Sequence, residues 1–184
     1  MWVYQKKLQY PVNIKQSNPA IAKLIMSQLG GPHGEKGAAD RYLQQRYSMP
    51  YAEELAHQEI VSSIITQLMR NVSISELEES GMDAYFIDHT TSVYPQSAGG
   101  VPFSANSYAV AGDAIADLSE DLAAEQKARL SYDNILRFLD DPDVIDPIRF
   151  LRQRELVHFQ RFGDALRMTK DQLDSRNYYA FNPE

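Results

Sequence analysis

Two Glu-x-x-His pairs, Glu54 with His57 and Glu155 with His158, constrain this chain more than any other feature of it. Each pair continues an apolar stripe of helical period. Glu54, His57, Val61, Ile64 and Leu68 recur three and four residues apart, as do Ile148, Leu151, Glu155, His158, Phe162 and Ala165. Polar groups on such stripes point toward a core. Two more stretches place a glutamate in the same way, Glu35 with Ala39 and Tyr42, and Glu125 with Ile115, Leu118, Leu122 and Tyr132. Four carboxylates and two imidazoles then face one interior.

Burying an unpaired carboxylate costs several kcal/mol, and neighbouring like charges raise the cost or force protonation. Two divalent cations remove the difficulty, and Glu and His at i and i+3 of one helix reach the same ion or its bridge. A single Glu-x-x-His is weak evidence of a metal; two in register, each preceded by a helical glutamate, seldom arise by accident. Glu125 alone would read as solvated, because Glu120, Asp121, Lys127 and Arg129 surround it, and only its alignment with Leu118 and Leu122 turns it inward. Oxygen-rich bundle sites suit manganese or iron better than zinc, whose usual sites are single and four-coordinate. His33 and His89 lie outside any stripe and read as loop or helix-end residues. Tyr42 is either core packing or a hydrogen-bond donor to a ligand carboxylate, and Phe159, Phe162 and Met168 read as core.

Helix punctuation gives the architecture. Residues 19–29 form a short helix for which Gly30-Gly31 supplies a left-handed stop. Residues 33–48 make a first long helix ending near Met49-Pro50, and 52–71 a second. Ser75 with Glu78 resembles a capping box opening a short helix that Gly81 ends. Residues 82–112, rich in Gly, Pro, Ser and Tyr, form a long crossover. Residues 113–139 make the third long helix, stopped at Asp140-Asp141-Pro142, and Asp146-Pro147 opens a fourth running to Asp174. The expected fold is therefore all-α, a ferritin-like four-helix bundle with a long crossover connection, an extended N-terminal arm (1–17) and an aromatic tail (175–184) suited to packing on a neighbouring subunit.

With 184 residues the chain builds one domain, 1–184. A formal net charge of -7 argues against a nucleic-acid partner, which needs clustered Lys and Arg. Without cysteine, metal ligands must be carboxylate or imidazole, and no disulfide framework is available. No apolar run reaches the length of a signal peptide or a membrane span, so cytosolic synthesis is expected.

The sequence resembles the manganese catalase family, in particular its short spore-coat branch, the CotJC type. The resemblance rests on Lys7-Leu8-Gln9-Tyr10-Pro11, Gly30-Gly31-Pro32-His33-Gly34-Glu35, Arg41-Tyr42-Leu43, Glu53-Glu54-Leu55-Ala56-His57, Gly100-Val101-Pro102-Phe103, the run from Asp121 to Arg129, and Arg154-Glu155-Leu156-Val157-His158-Phe159. It implies two manganese ions, with iron as the alternative metal. Glu35 and His57 would belong to one ion, Glu125 and His158 to the other, with Glu54 bridging and Glu155 as an outer-sphere acid/base. It also implies hydrogen peroxide as substrate, dismuted to water and dioxygen, synthesis in the mother cell, and deposition in the spore coat among other coat proteins, with a homo-oligomer as the expected assembly. A structural coat protein without turnover and a di-iron oxidase or storage protein are the alternatives on the same scaffold.

Two departures from the family stand out. Some catalases carry an arginine where this chain has Ala124, and about a dozen residues are missing between Met49-Pro50-Tyr51 and Glu53-Glu54. Ligands on antiparallel helices must sit level, yet 15 residues separate Glu35 from Pro50 and only 4 separate Pro50 from Glu54. With helical rise throughout, the mismatch is some ~16 Å. Either the first long helix ends near Tyr42 with residues 43–51 as loop, or Glu54 and His57 are displaced from the site, or the sequence lacks a segment that the native chain has. The retained turn at Ser48-Met49-Pro50-Tyr51 favours displacement.

Overall fold

A computed structural model of the chain describes residues 5, 7–45, 54–108 and 110–174, with backbone alone at Glu54, Leu55 and Asp174. Seven α-helices and one 3-10 turn (Ala105–Ser107) are seen among these residues, with no strand beyond an isolated Gln96–Pro102 bridge. The helices are α1 (Pro19–Gly30), α2 (Glu35–Gln45), α3 (Glu54–Leu68), α4 (Ile74–Ser80), α5 (Asp83–His89), α6 (Ala114–Leu136) and α7 (Pro142–Asp174). None of them is long and apolar enough to cross a membrane. The tail 175–184 and the connection 46–53 lie outside the described residues.

Side-chain pairings fix the directions of the helices. Tyr132 meets Glu35, Tyr42 meets Glu125, and Gln45 Nε2 donates to Asp121 Oδ1 at 2.9 Å, so α2 and α6 run antiparallel. Arg152 meets Asp133 and His158 meets Glu125, so α6 and α7 form an antiparallel hairpin. Asn18 N–H donates to Leu68 O at 2.8 Å, joining the start of α1 to the end of α3. With α3 lying along α2 and α7, the arrangement is a ferritin-like helical bundle. Its first arm is broken into α1 and α2, and its two halves are joined by the long segment between α3 and α6.

The core is apolar at one end and polar at the other. Ile25, Met26, Ile60, Ile64, Ile65, Leu68, Tyr132, Ile148 and Leu151 are wholly buried. One turn beyond Ile60 on α3 and Leu151 on α7 the stripe changes to His57 and to Glu155 and His158, all buried. The N-terminal arm passes across the apolar end, where the Gln67 side chain accepts from Ile14 N–H at 2.7 Å and donates to Val12 O at 2.9 Å.

Several sequence expectations shift. Gly31 has φ -72°, so Gly30-Gly31 is no left-handed stop. Gly30 is required because the crossover passes over it, and a Cβ there would lie 2.3 Å from Gln96 N. The capping box is Ser73 with Glu76, two residues earlier than expected, while Gly81 at φ 66° does end α4. The crossover contains α5, which its loop-like composition concealed. Pro142 rather than Pro147 opens the last helix, since Asp141 caps it by accepting from Asp143 N–H at 2.9 Å. Phe159 and Met168 are exposed, at 38% and 56%, not core, whereas Phe162 on the inward side of α7 packs on Tyr42.

Candidate metal centre

Each helix of the bundle delivers a polar side chain to one layer. Glu35 opens α2, where Gly34 ends the break after α1; His57 follows one turn into α3; Glu125 comes from the middle of α6; Glu155 and His158 come from the middle of α7. All five are at most 4% exposed. His57 Nδ1 lies 3.7 Å from Glu35 Oε2 and 3.9 Å from Glu155 Oε1, and His158 Nδ1 lies 3.6 Å from Glu125 Oε2. The two imidazoles stack with centroids 5.1 Å apart and planes 17° from parallel. His57, Glu155 and His158 can each present one ligand atom within 4.8 Å of the others.

The Glu35–His57 and Glu125–His158 separations exceed hydrogen-bond length, yet they are close to the ~3–3.6 Å expected of adjacent donors on one cation with bonds near 2.1 Å. Glu125 Oε2 is buried without a hydrogen bond, although its other oxygen accepts from Tyr42. An acceptor buried in this way, facing an imidazole nitrogen across a gap of ligand width, fits a cation better than it fits a packed apolar core. The donor set, carboxylate and imidazole without sulfur, suits manganese or iron.

The residues behind the layer orient it. Tyr42 OH donates to Glu125 Oε1 and Tyr132 OH donates to Glu35 Oε1, so one oxygen of each glutamate is held and the other faces the imidazoles. Tyr42 in turn packs on Phe162 with centroids 5.0 Å apart. Asp121, one turn before Glu125, is wholly buried, and burial pushes its carboxyl up to about 7 despite the opposing Gln45 hydrogen bond and Arg41 charge. On the sequence, Asp121 reads as part of a solvated charge cluster, Gln45 carries no signal, and Arg41 figures only in the Arg41-Tyr42-Leu43 resemblance. Asp121 lies four residues before Glu125 on the same helical face, and that spacing is the signal that could have found it. Tyr132 belongs to the inward stripe by its period, but its hydrogen bond to Glu35 is not readable there.

The sequence favours displacement of the α3 ligands, and the structure corrects this for His57, which sits buried beside Glu35. The register of α3 is set by Ile60, Val61, Ile64, Ile65 and Leu68, all wholly buried, rather than by where the preceding turn falls. The helix before it is not shortened to Tyr42 either, since α2 continues through Gln45. The Glu54 side chain lies outside the described residues.

A helical bundle whose facing helices each carry glutamate, with Glu-x-x-His repeated on two of them, defines a dimetal-carboxylate type of protein. The model of the family described as manganese containing catalase matches residues 1–176. Protein CotJC of Bacillus subtilis (strain 168) is 41% identical, over 97% of this chain and 100% of that protein. A probable manganese catalase of Clostridium acetobutylicum is 30% identical, over 97% of this chain and 85% of its own length. The crystal structure of KatB, a manganese catalase from Anabaena, shares the fold with a TM-score of 0.83 at 28% identity, over 92% of this chain and 81% of KatB. The chain belongs to the manganese catalase family.

Proposed function

We propose that this protein is a manganese-dependent catalase that converts hydrogen peroxide to water and dioxygen, working as a homo-oligomer in the spore coat among other coat proteins after synthesis in the mother cell. The observation that carries the enzymatic reading is the paired geometry of the polar layer. Glu35 with His57 and Glu125 with His158 form two N/O couples of nearly equal width, 3.7 and 3.6 Å, whose imidazoles stack at 5.1 Å. These four residues would hold two manganese ions, with Glu54 as the bridge. When bound, the ions supply the two-electron redox couple that lets peroxide act as both oxidant and reductant.

The chain's own groups perform the rest. Glu155 takes a proton from incoming peroxide and returns it to leaving water, a role supported by its burial and by its oxygen 3.9 Å from His57 Nδ1. Tyr42 and Tyr132 hold Glu125 and Glu35 in the orientation that couples them to the imidazoles. Ile60 and Leu151, one turn below, close the layer against water. The exposed apolar residues Leu156, Val157 and Phe159 on the outer side of α7 support an oligomer.

Protein purified from manganese-supplied cells should carry close to two manganese per chain by elemental analysis and evolve oxygen from peroxide; zinc alone, or no metal, would sink the proposal. The 41% identity to a protein named CotJC supports the coat location, and within it the second reading is a structural coat protein that keeps the bundle and some metal without turnover. Substoichiometric metal without oxygen evolution is the result that reading expects.

A further inference from the structure

Beside the polar layer lies a cavity of about 20 Å³ whose lining includes His33, Arg41, Ala124, Glu35, Glu125 and Glu155. It has room for about one water-sized molecule. Arg41 is 5% exposed, and its Nε and Nη1 are buried and donate no hydrogen bond, while Nη2 looks outward to Glu120 at 3.7 Å. A guanidinium stays charged at every relevant pH, and leaving its inner donors buried without acceptors is strongly unfavourable. Glu35 and Glu125 do not serve, since each gives one oxygen to a tyrosine and turns the other toward an imidazole.

We propose that Arg41 is a positioning residue that receives peroxide in this cavity, its Nε and Nη1 donating to a peroxide oxygen before the molecule reaches Glu155 and the paired ligands. This rests on the catalase reading for the identity of the substrate, but not for the existence of the subsite. The cavity admits one- or two-atom acceptors, peroxide or a monatomic anion, and excludes larger organic peroxides. Ala124 contributes to the selectivity by leaving this space open on the α6 side.

The test compares the metal-loaded wild-type protein with Arg41→Gln and Arg41→Lys, using peroxide kinetics and bromide soaks read by anomalous diffraction. Loss of the charged donors should raise KM for peroxide tenfold to about a hundredfold with kcat changed far less, and with manganese content and melting temperature held. Arg41→Lys should recover most of the KM. Bromide should occupy the cavity at Arg41 in the wild type and vanish in Arg41→Gln. Unchanged KM in Arg41→Gln, or no bromide at Arg41 in the wild type, overturns the proposal. If Arg41→Gln does not fold, the wild-type bromide site and the Arg41→Lys kinetics decide. If the wild type evolves no oxygen yet bromide sits at Arg41, the catalase reading fails while the anion-receiving subsite stands.

Discussion

Tyr42 and Tyr132 each donate from α2 or α6 to a glutamate on the other helix, so the two outer carboxylates are held by crossed hydrogen bonds between one pair of helices. An outer-shell partner of this kind typically contributes tenfold to a hundredfold in metal affinity. Tyr132→Phe should therefore weaken manganese binding by about that factor while circular dichroism stays unchanged; equal affinity would show that Glu35 is oriented by something else. Asp121 makes a different kind of test. Its carboxyl is pushed up to about 7 from 3.8, chiefly by burial. Below pH 4 the folded and unfolded chains both hold the proton. Between 4 and 7 the unfolded chain releases it and the folded chain keeps it, so stability falls with rising pH and remains lower above 7. Asp121→Asn keeps the oxygen that accepts from Gln45 and removes this penalty. In the metal-free protein it should gain about 1–3 kcal/mol at pH 8 in urea unfolding, with the gap closing by pH 4. A pH-independent difference would rule out ionisation as the cause.

At the scale of elements, α3 is positioned by its apolar face and not by the connection that leads into it. Four Gly/Ser residues inserted after Met49 should leave manganese content within about twofold, because the register of α3 is held by Ile60, Val61, Ile64, Ile65 and Leu68 rather than by the length of chain before it. A single Ala inserted after Gln58 turns His57 by about 100° relative to Ile60 and the residues beyond, and should remove at least one ion per chain. Loss of metal in the first variant, or its retention in the second, would contradict this account. The same contrast explains what the sequence made legible. The stripes on α2, α3, α6 and α7 predicted the inward side chains of Glu35, His57, Glu125, Glu155 and His158, because burial follows helical period. Counting residues from the Met49-Pro50 turn does not give the level of His57, because the buried apolar face of α3 sets it. The start of α7 was placed at Asp146-Pro147, because two Asp-Pro steps compete and only the cap geometry at Asp141 separates them. The buried Asp121 was hidden by its charged neighbours, and α5 by the composition around it.

For the whole molecule, the polar layer joins two halves that otherwise meet mainly through apolar packing. The α1–α3 half supplies Glu35 and His57, the α6–α7 hairpin supplies Glu125, Glu155 and His158, and α3 touches α7 where His57 meets Glu155 and His158. Without cations this seam gathers three buried carboxylates, whose mutual repulsion and desolvation oppose closure. Metal binding should therefore appear as folding stability shared by both halves, because a ligand that binds only the native state stabilises it by RT ln(1 + [L]/Kd). With manganese at about a hundred times its Kd this amounts to about 2.7 kcal/mol, or a rise of about 5–10 °C in melting temperature for a chain of this size. Chelation should lower the melting temperature of the wild type by that amount, and manganese should restore it. Glu125→Gln should respond weakly to both treatments, since it loses a ligand as well as one of the repelling charges. Its metal-free form should also melt at or above the metal-free wild type. A wild-type melting temperature insensitive to chelation and to added manganese would show that the bundle closes without ions in the seam.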